Sequence, residues 1–219
     1  RGLGDVYKRQ VTAPVTICNK LKELGYKGRF VTFGSVFEMG ETHEERFFTE
    51  EDVLTSTCPA PNDYTVSKRM LSSFVSSYKH DFTHWHFYIP TIYGAGENPK
   101  RLIPYVINAI RNGEELHFTA GDQTRQYVHV SEVPRMLAQA FEKNLPSGLY
   151  NIQGTETVTV KEIVTEIHHA MGKEVPDGCF GSVQRADVGM KYLALDGKKL
   201  HDATGFEASI KITDVIDTY

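Results

Sequence analysis

Apolar residues recur at three- and four-residue spacing at Val11, Val15, Cys18, Leu21 and Leu24, the stripe of an amphipathic helix, and Gly25 supplies its C-terminal stop. Residues 29–35 (RFVTFGS) form a short apolar run without strict alternation, which predicts a strand covered on both faces in the middle of a parallel sheet. Residues 41–61 are polar and acidic with two prolines, so they predict a long loop of the kind usually kept for function. A helix is expected from about residue 63 to 78 and a strand over 83–89 (THWHFYI), followed by the loop PTIYGAGENP. Beyond it the pattern predicts helices at 102–112, 131–143 and 159–171, strands at 115–119, 125–130 and 149–152, and a helical piece from Lys198 onward. Gly113 and Gly172 stand where two of these helices should end. Strands alternating with helices argue for an α/β chain with a mainly parallel sheet.

The 219 residues, 40% hydrophobic and 11% aromatic, suffice for a sizeable core and exclude disorder, collagen and coiled coil. A net charge of −4 without a basic run argues against nucleic acid as a partner. No stretch approaches the length of a membrane span and no secretory signal is visible, so no membrane partner and a cytoplasmic location are expected. Cys18, Cys58 and Cys179 are odd in number and far apart, so free thiols are expected rather than a disulfide framework or a zinc site. Residues 1–10 (RGLGDVYKRQ) read as a non-native linker outside the fold. Only one helix precedes the strand 29–35, so the sheet starts midway, which suggests a truncated gene product.

Tyr64 and Lys68, in DYTVSKRM, stand four apart on an expected helix and project from one face. An ammonium beside a phenol stabilises the phenolate and lowers its pKa, making the tyrosine a proton donor and acceptor. By itself the pair also fits a solvated helix face. Ser35 ends the apolar strand in a glycine-flanked turn, GSVFEMG, at the carboxyl end of the sheet where open α/β folds bind ligands. A serine satisfying a turn backbone group is the alternative there. His84 and His86 share a strand face without a third ligand at metal spacing, so no metal is expected and both read as core or surface histidines. Trp85 reads as core, and His129, His168 and His169 as structural or exposed.

Read together, RFVTFGSVFEMG, the acidic FTEED, PAPNDYTVSK, IPTIYGAGENPKRLIP and GDQTRQYVHVSEV resemble, in order and spacing, the extended short-chain dehydrogenase/reductase family, in particular its nucleotide-sugar epimerases and dehydratases. The resemblance spans about residues 11–205. It implies the C-terminal part of a Rossmann-like doubly wound parallel sheet plus a smaller substrate-binding α/β region. Residues 11–94 would form a partial cofactor domain to which 124–153 return, and 95–123 with 154–219 would bind substrate. The cofactor implied is NAD or NADP. Tyr64 would be the acid/base, Lys68 would tune it and hold the nicotinamide ribose, and Ser35 would hold the sugar oxygen undergoing reaction. Pro90, Thr91 and Ile92 would lie by the nicotinamide. Arg125 matches the arginine that grips the diphosphate, with a surface or packing role as the alternative. Arg185 resembles a second phosphate arginine, although its spacing is one residue short. Asn98, Lys100 and Arg101 are further candidates for the nucleotide side.

Departures narrow the chemistry the resemblance implies. The family's 4,6-dehydratases carry an Asp-Glu pair directly after the Ser/Thr, and Val36 and Phe37 occupy those positions here, unable to move a proton. A 4-epimerase or a reductase of a 4-keto-6-deoxy nucleotide-sugar is therefore the expected activity, with a catalytically inactive nucleotide-sugar or dinucleotide binding module as the alternative. Met39, Thr91 and Gln126 replace a common Tyr, Asn and Asp, which leaves the sugar open. No glycine-rich phosphate motif precedes a strand and helix, so the piece alone is expected to be inactive and the full-length protein a homodimer.

Overall fold

The computed structural model describes residues 3–183 and 190–219. Its elements run α1 (Leu3–Tyr7), α2 (Ala13–Glu23), β1 (Arg29–Ser35), α3 (Glu50–Leu54), α4 (Asp63–Ser77), β2 (Thr83–Ile89), β3 (Thr91–Tyr93) and α5 (Leu102–Asn112). They continue with β4 (Thr124–His129), α6 (Glu132–Glu142), β5 (Gly148–Asn151), β6 (Glu156–Thr159), α7 (Val160–Ala170), β7 (Tyr192–Leu193) and α8 (Lys198–Thr204). A π-helical stretch, Lys8–Thr12, joins α1 to α2. Pro14 at the start of α2 has no N–H to give, which is where a regular i→i−4 ladder fails. The opening segment thus differs from the expected detached linker. From Leu3 onward it is helical and packs along α4, and the Tyr7 hydroxyl donates to Asp63 at 3.3 Å.

Among the described residues the strands form two sheets. In the first, ordered β1-β2-β5, all pairings are parallel. β2 is the middle strand and is buried along its five inner residues, whereas Arg29, Phe30, Val31 and Phe33 of β1 are half-buried. Among the described residues β1 forms one side of this sheet, and the strand covered on both faces is β2. Alternation along β2 divides its side chains between two layers. Trp85 and Phe87 pack with Met136 and Ala140 of α6, while His84, His86 and Tyr88 face α4.

The second sheet joins β3 and β7 in parallel and β6 antiparallel to β4. The chain therefore returns to the first sheet later than the expected 124–153, because β4 pairs with β3 and only α6 and β5 go back. The strand expected at 115–119 is a single bridge, Phe118 with Phe180, closed by the Phe118 amide on the Cys179 carbonyl at 2.7 Å. Among the described residues no neighbouring strand extends it. Tyr93, Val106, Ile107, Ile163, Val164 and Ile167 make the core between α5, α7 and this sheet. Cys18, Cys58 and Cys179 are free thiols.

Candidate active site

β1 delivers Ser35 at its carboxyl end, where the residue caps a short 3-10 turn, Val36–Met39. The Ser35 hydroxyl accepts from the Phe37 amide at 3.2 Å, and the Glu38 carboxylate accepts in return from the Ser35 amide at 2.8 Å. This reciprocal capping fixes the direction of the serine. Glu38 is fully buried, and its other oxygen accepts from Ser72 of α4 at 2.6 Å. Gly34 is required for space, since a Cβ there would lie 2.5 Å from the Tyr88 ring and 2.7 Å from both Glu38 and His86.

α4 begins with Asn62, whose side chain accepts from the Thr65 amide at 3.0 Å. Its first turns present Tyr64 and, one turn on, Lys68. The Ser35 side chain stands near enough to the Tyr64 phenol to oppose the rise in its pKa. Lys68 Nζ lies 5.7 Å from the centre of the Tyr64 ring and donates to the Phe33 carbonyl at 2.6 Å. Arg69 ties the serine turn to the same helix, donating to the carbonyls of Glu38 at 2.6 Å and Met39 at 3.0 Å. The three groups expected to act together are thus brought together.

The electrostatics differ from the expectation. The Tyr64 pKa lies above its ordinary value, chiefly because burial penalises the phenolate, with the Glu38 charge adding to the rise. Ser35 and the Arg101 charge oppose it. The Lys68 ammonium donates to the Phe33 carbonyl, and burial pushes the Lys68 pKa down.

Ser35, Tyr64 and Lys68 line a cavity of about 580 Å³, of the size small-molecule sites have. Pro90, Thr91 and Ile92 line it, Phe37 lends an apolar wall, and Lys100, Arg101 and Arg125 bring positive charge. Arg101 donates to the Ile92 carbonyl at 2.9 Å, pairs with Glu97 at 3.2 Å and acts on the Tyr64 phenol. It therefore stands toward the Tyr64 end of the cavity. Arg125 projects from β4 and donates to the Thr124 carbonyl at 2.8 Å. Asn98 is not among the lining residues: it is exposed, and its carbonyl oxygen accepts from the Lys100 amide at 3.0 Å. Arg185 lies outside the described residues.

The sequence profile of the NAD dependent epimerase/dehydratase family matches residues 3–152. The chain belongs to that family. Within the epimerase/dehydratase family, an 87-residue stretch covering 37% of this chain is 26% identical to 30% of the CDP-abequose synthase of Salmonella muenchen. Among solved structures, the dTDP-glucose 4,6-dehydratase of Bacillus anthracis with NAD superposes at a TM-score of 0.79 and 19% identity, over 96% of this chain and 66% of that one. WbmG of Bordetella bronchiseptica with NAD gives 0.77 and 17%, over 95% and 63%. RMD of Pseudomonas aeruginosa with NADPH gives 0.77 and 18%, over 97% and 72%. These likenesses establish the Rossmann-like α/β fold. The chain spans less than two-thirds of the length of the curated relative and of WbmG.

Several residues of this epimerase/dehydratase cavity escaped the sequence reading. His117 and Tyr105 reach it from positions outside the quoted motifs, and Gln123 reaches it from within GDQTRQYVHVSEV without having been singled out there. Glu38 had a signal, Ser35-x-x-Glu38, the spacing of a capping box at a helix start.

Proposed function

We propose that the protein serves hydride transfer at the 4-position of a nucleotide-sugar with NAD or NADP, as a 4-epimerase or a 4-keto-6-deoxy-sugar reductase. The observation that carries this is the convergence of the Ser35 hydroxyl, the Tyr64 phenol and the Lys68 ammonium on one cavity with Pro90, Thr91 and Ile92. The residues present fit the nicotinamide end of such a cofactor: Lys68 can reach a ribose hydroxyl, and the Pro90–Ile92 backbone can flank a planar ring. When bound, the cofactor supplies the hydride acceptor or donor.

In this reading Tyr64 gives or takes the proton on the sugar 4-oxygen, and Ser35, which lines the same cavity, holds that oxygen. A ribose hydroxyl would draw the Lys68 ammonium from the Phe33 carbonyl toward the phenol, bringing the phenol pKa down. The positive groups Arg101, Arg125 and Lys100 suit a diphosphate, a guanidinium fork being matched to phosphate oxygens. Val36 is buried and Phe37 forms apolar wall, so neither can protonate a leaving hydroxyl. That favours hydride transfer without dehydration, and an apolar wall beside the serine accommodates a 6-deoxy carbon.

Expression from the complete gene tests the reading. Tyr64→Phe should reduce turnover of a 4-keto-6-deoxy nucleotide-sugar or a nucleotide-hexose by about 10²–10⁴-fold. Consumption of reduced nicotinamide marks the reductase, and interconversion of sugars without net cofactor consumption marks the epimerase. Undiminished turnover in Tyr64→Phe would remove the enzyme assignment and leave a binding module.

A further inference from the structure

Behind the serine turn runs a buried line of polar groups that the hydride chemistry does not use. Ser72 Oγ donates to Glu38 Oε2 at 2.6 Å and lies 3.0 Å from His86 Nε2. His86 Nδ1 is 2.8 Å from the Thr32 hydroxyl, which is 2.9 Å from His84 Nε2. Glu38, Ser72, His86, Thr32 and His84 are all buried. At the far end, His84 Nδ1 has no hydrogen-bond partner among the described residues, an expensive state for a buried polar atom. His84 lines a second cavity, of about 740 Å³, together with His80, Ser147 and Lys199.

Each hydroxyl has one proton to give, and this fixes the direction of the line. Ser72 spends its proton on Glu38, so His86 donates from Nε2 to Ser72. His86 Nδ1 is then bare and accepts from Thr32, whose proton is thereby spent, so His84 donates from Nε2. Every bond points toward the carboxylate, and His84 Nδ1 is left as the open acceptor. The reversed line is equally complete when Glu38 is protonated: Glu38 donates to Ser72, Ser72 to His86 Nε2, His86 Nδ1 to Thr32, Thr32 to His84 Nε2, and His84 carries its proton on Nδ1. The two arrangements differ by one proton. It enters at His84 Nδ1, each member passes one on, and the carboxyl ends protonated with both imidazoles neutral.

We propose that Glu38 is the positioning residue that aims the Ser35 hydroxyl at Tyr64, and that Ser72, His86, Thr32 and His84 are the relay by which Glu38 exchanges its proton with the cavity beside His84. Oε1 holds the Ser35 amide while Oε2 is held by α4, the helix that presents Tyr64 and Lys68, so one carboxylate sets the serine against the phenol. Burial keeps the imidazoles neutral, as the relay requires, pushing His84 down to about 4 and His86 to about 3. Burial also pushes Glu38 up to about 7, against the bonds from Ser72 and Ser35 and the charges of Lys68 and Arg69. Tyr64 and Tyr88 also face Glu38, Lys68 faces His86, and His80 faces His84. The charged carboxylate raises the Tyr64 pKa, so loading it with a proton makes the phenol more acidic.

Only the catalytic consequence rests on the function proposed above; the relay is tested without turnover. NMR of the full chain, labelled with 13C at the glutamate carboxyls and 15N in the imidazoles, should show Glu38 titrating near 7. At the same midpoint His84 and His86 should exchange the Nε2–H for the Nδ1–H tautomer without becoming charged. A Glu38 midpoint in the ordinary carboxylate range, or imidazoles whose tautomers do not move with it, overturns the relay. Ser72→Ala should uncouple the imidazoles from Glu38, and persistent coupling in that variant likewise overturns it. Glu38→Gln should lower the Tyr64 midpoint and reduce kcat by roughly tenfold with KM within about twofold, the mark of misaligned reacting groups. An unchanged Tyr64 midpoint and kcat overturn the positioning role, and if Glu38→Gln does not fold, Ser72→Ala decides. Failure of the Tyr64→Phe test would remove the enzyme reading while leaving the NMR result standing.

Discussion

The sheet β1-β2-β5 and the sheet built on β4 meet at one cavity, yet they bring polar groups to it in opposite ways. On the first side Ser35, Glu38, Lys68 and Ser72 are buried and bonded to backbone or to one another. On the second side, His117 and Arg101 are exposed and Arg125 is half-buried, above a core of Tyr93, Ile107, Ile163 and Ile167. Proton transfer gains from groups whose geometry and solvation are settled before the substrate arrives, because no reorganisation is then needed. Gripping a diphosphate suits guanidinium forks that stay near solvent, and Arg101 and Arg125 do so while each is held by a backbone carbonyl. On the function proposed above, this chain would carry the two tasks on different sheets.

The hardest test of that division is to damage each core. Phe87→Ala, beneath the reacting groups, should cost about 3–5 kcal/mol, and Ile163→Ala, beneath the cationic wall, about 2–5 kcal/mol, measured by denaturant unfolding. If the division is real, turnover per folded molecule drops in Phe87→Ala, because β2 carries His86 and Pro90 follows it directly. It stays near normal in Ile163→Ala. Equal losses of turnover would mean that the cavity is one mechanical unit and that the comparison fails.

The same division explains what could be read from the sequence. Ser35, Tyr64 and Lys68 were legible because each follows from local rules: a strand end, an i,i+4 pair and a glycine-flanked turn. β1, β2 and α5 fall at their expected bounds for the same reason, with Gly113 at φ +67 closing α5 as only glycine does readily. The direction of the Tyr64 pKa is not legible in the sequence, because spacing shows that Lys68 shares a face with the phenol but not how far the fold buries the phenol or that Glu38 comes near it. β6 and β7 are four and two residues long, and their pairing partners were set by tertiary contact rather than by any local period. The relay joins β1, the serine turn, α4 and β2, and nothing within one segment announces it.

A middling effect is expected at the second wall. Arg125→Met should raise KM for the nucleotide-sugar about ten- to a hundredfold with kcat largely spared, the loss appropriate to a hydrogen bond to a charged group. Steady-state kinetics against sugar concentration read this directly. A fall in kcat with constant KM would move Arg125 to the reacting end, beside Arg101, and blur the separation between the walls.

The smallest effect belongs to a cluster that imitates the buried web in bond count but not in setting. Arg46 grips Asp52 with two bonds, of 2.7 and 2.9 Å, and Asp52 also accepts from the Thr49 amide at 2.8 Å and its hydroxyl at 2.7 Å. The bond from Arg46, first among the causes, holds the Asp52 carboxyl well below the usual carboxylate range. A folded-state pKa depressed in this way gives stability that is present above the unfolded pKa of about 4 and is lost as pH falls toward the folded one. The Arg46 side chain is 46% exposed, so water competes for every bond, and Arg46→Met should cost under about 1 kcal/mol near neutral pH. Thermal unfolding followed from neutral pH downward should show the variant losing less stability on acidification than the parent, since part of what acid removes is already gone. A loss several-fold larger, comparable with the Phe87→Ala cost, would mean that exposed ion pairs stabilise this fold as strongly as its buried core does, and solvent exposure would cease to be what distinguishes its polar groups.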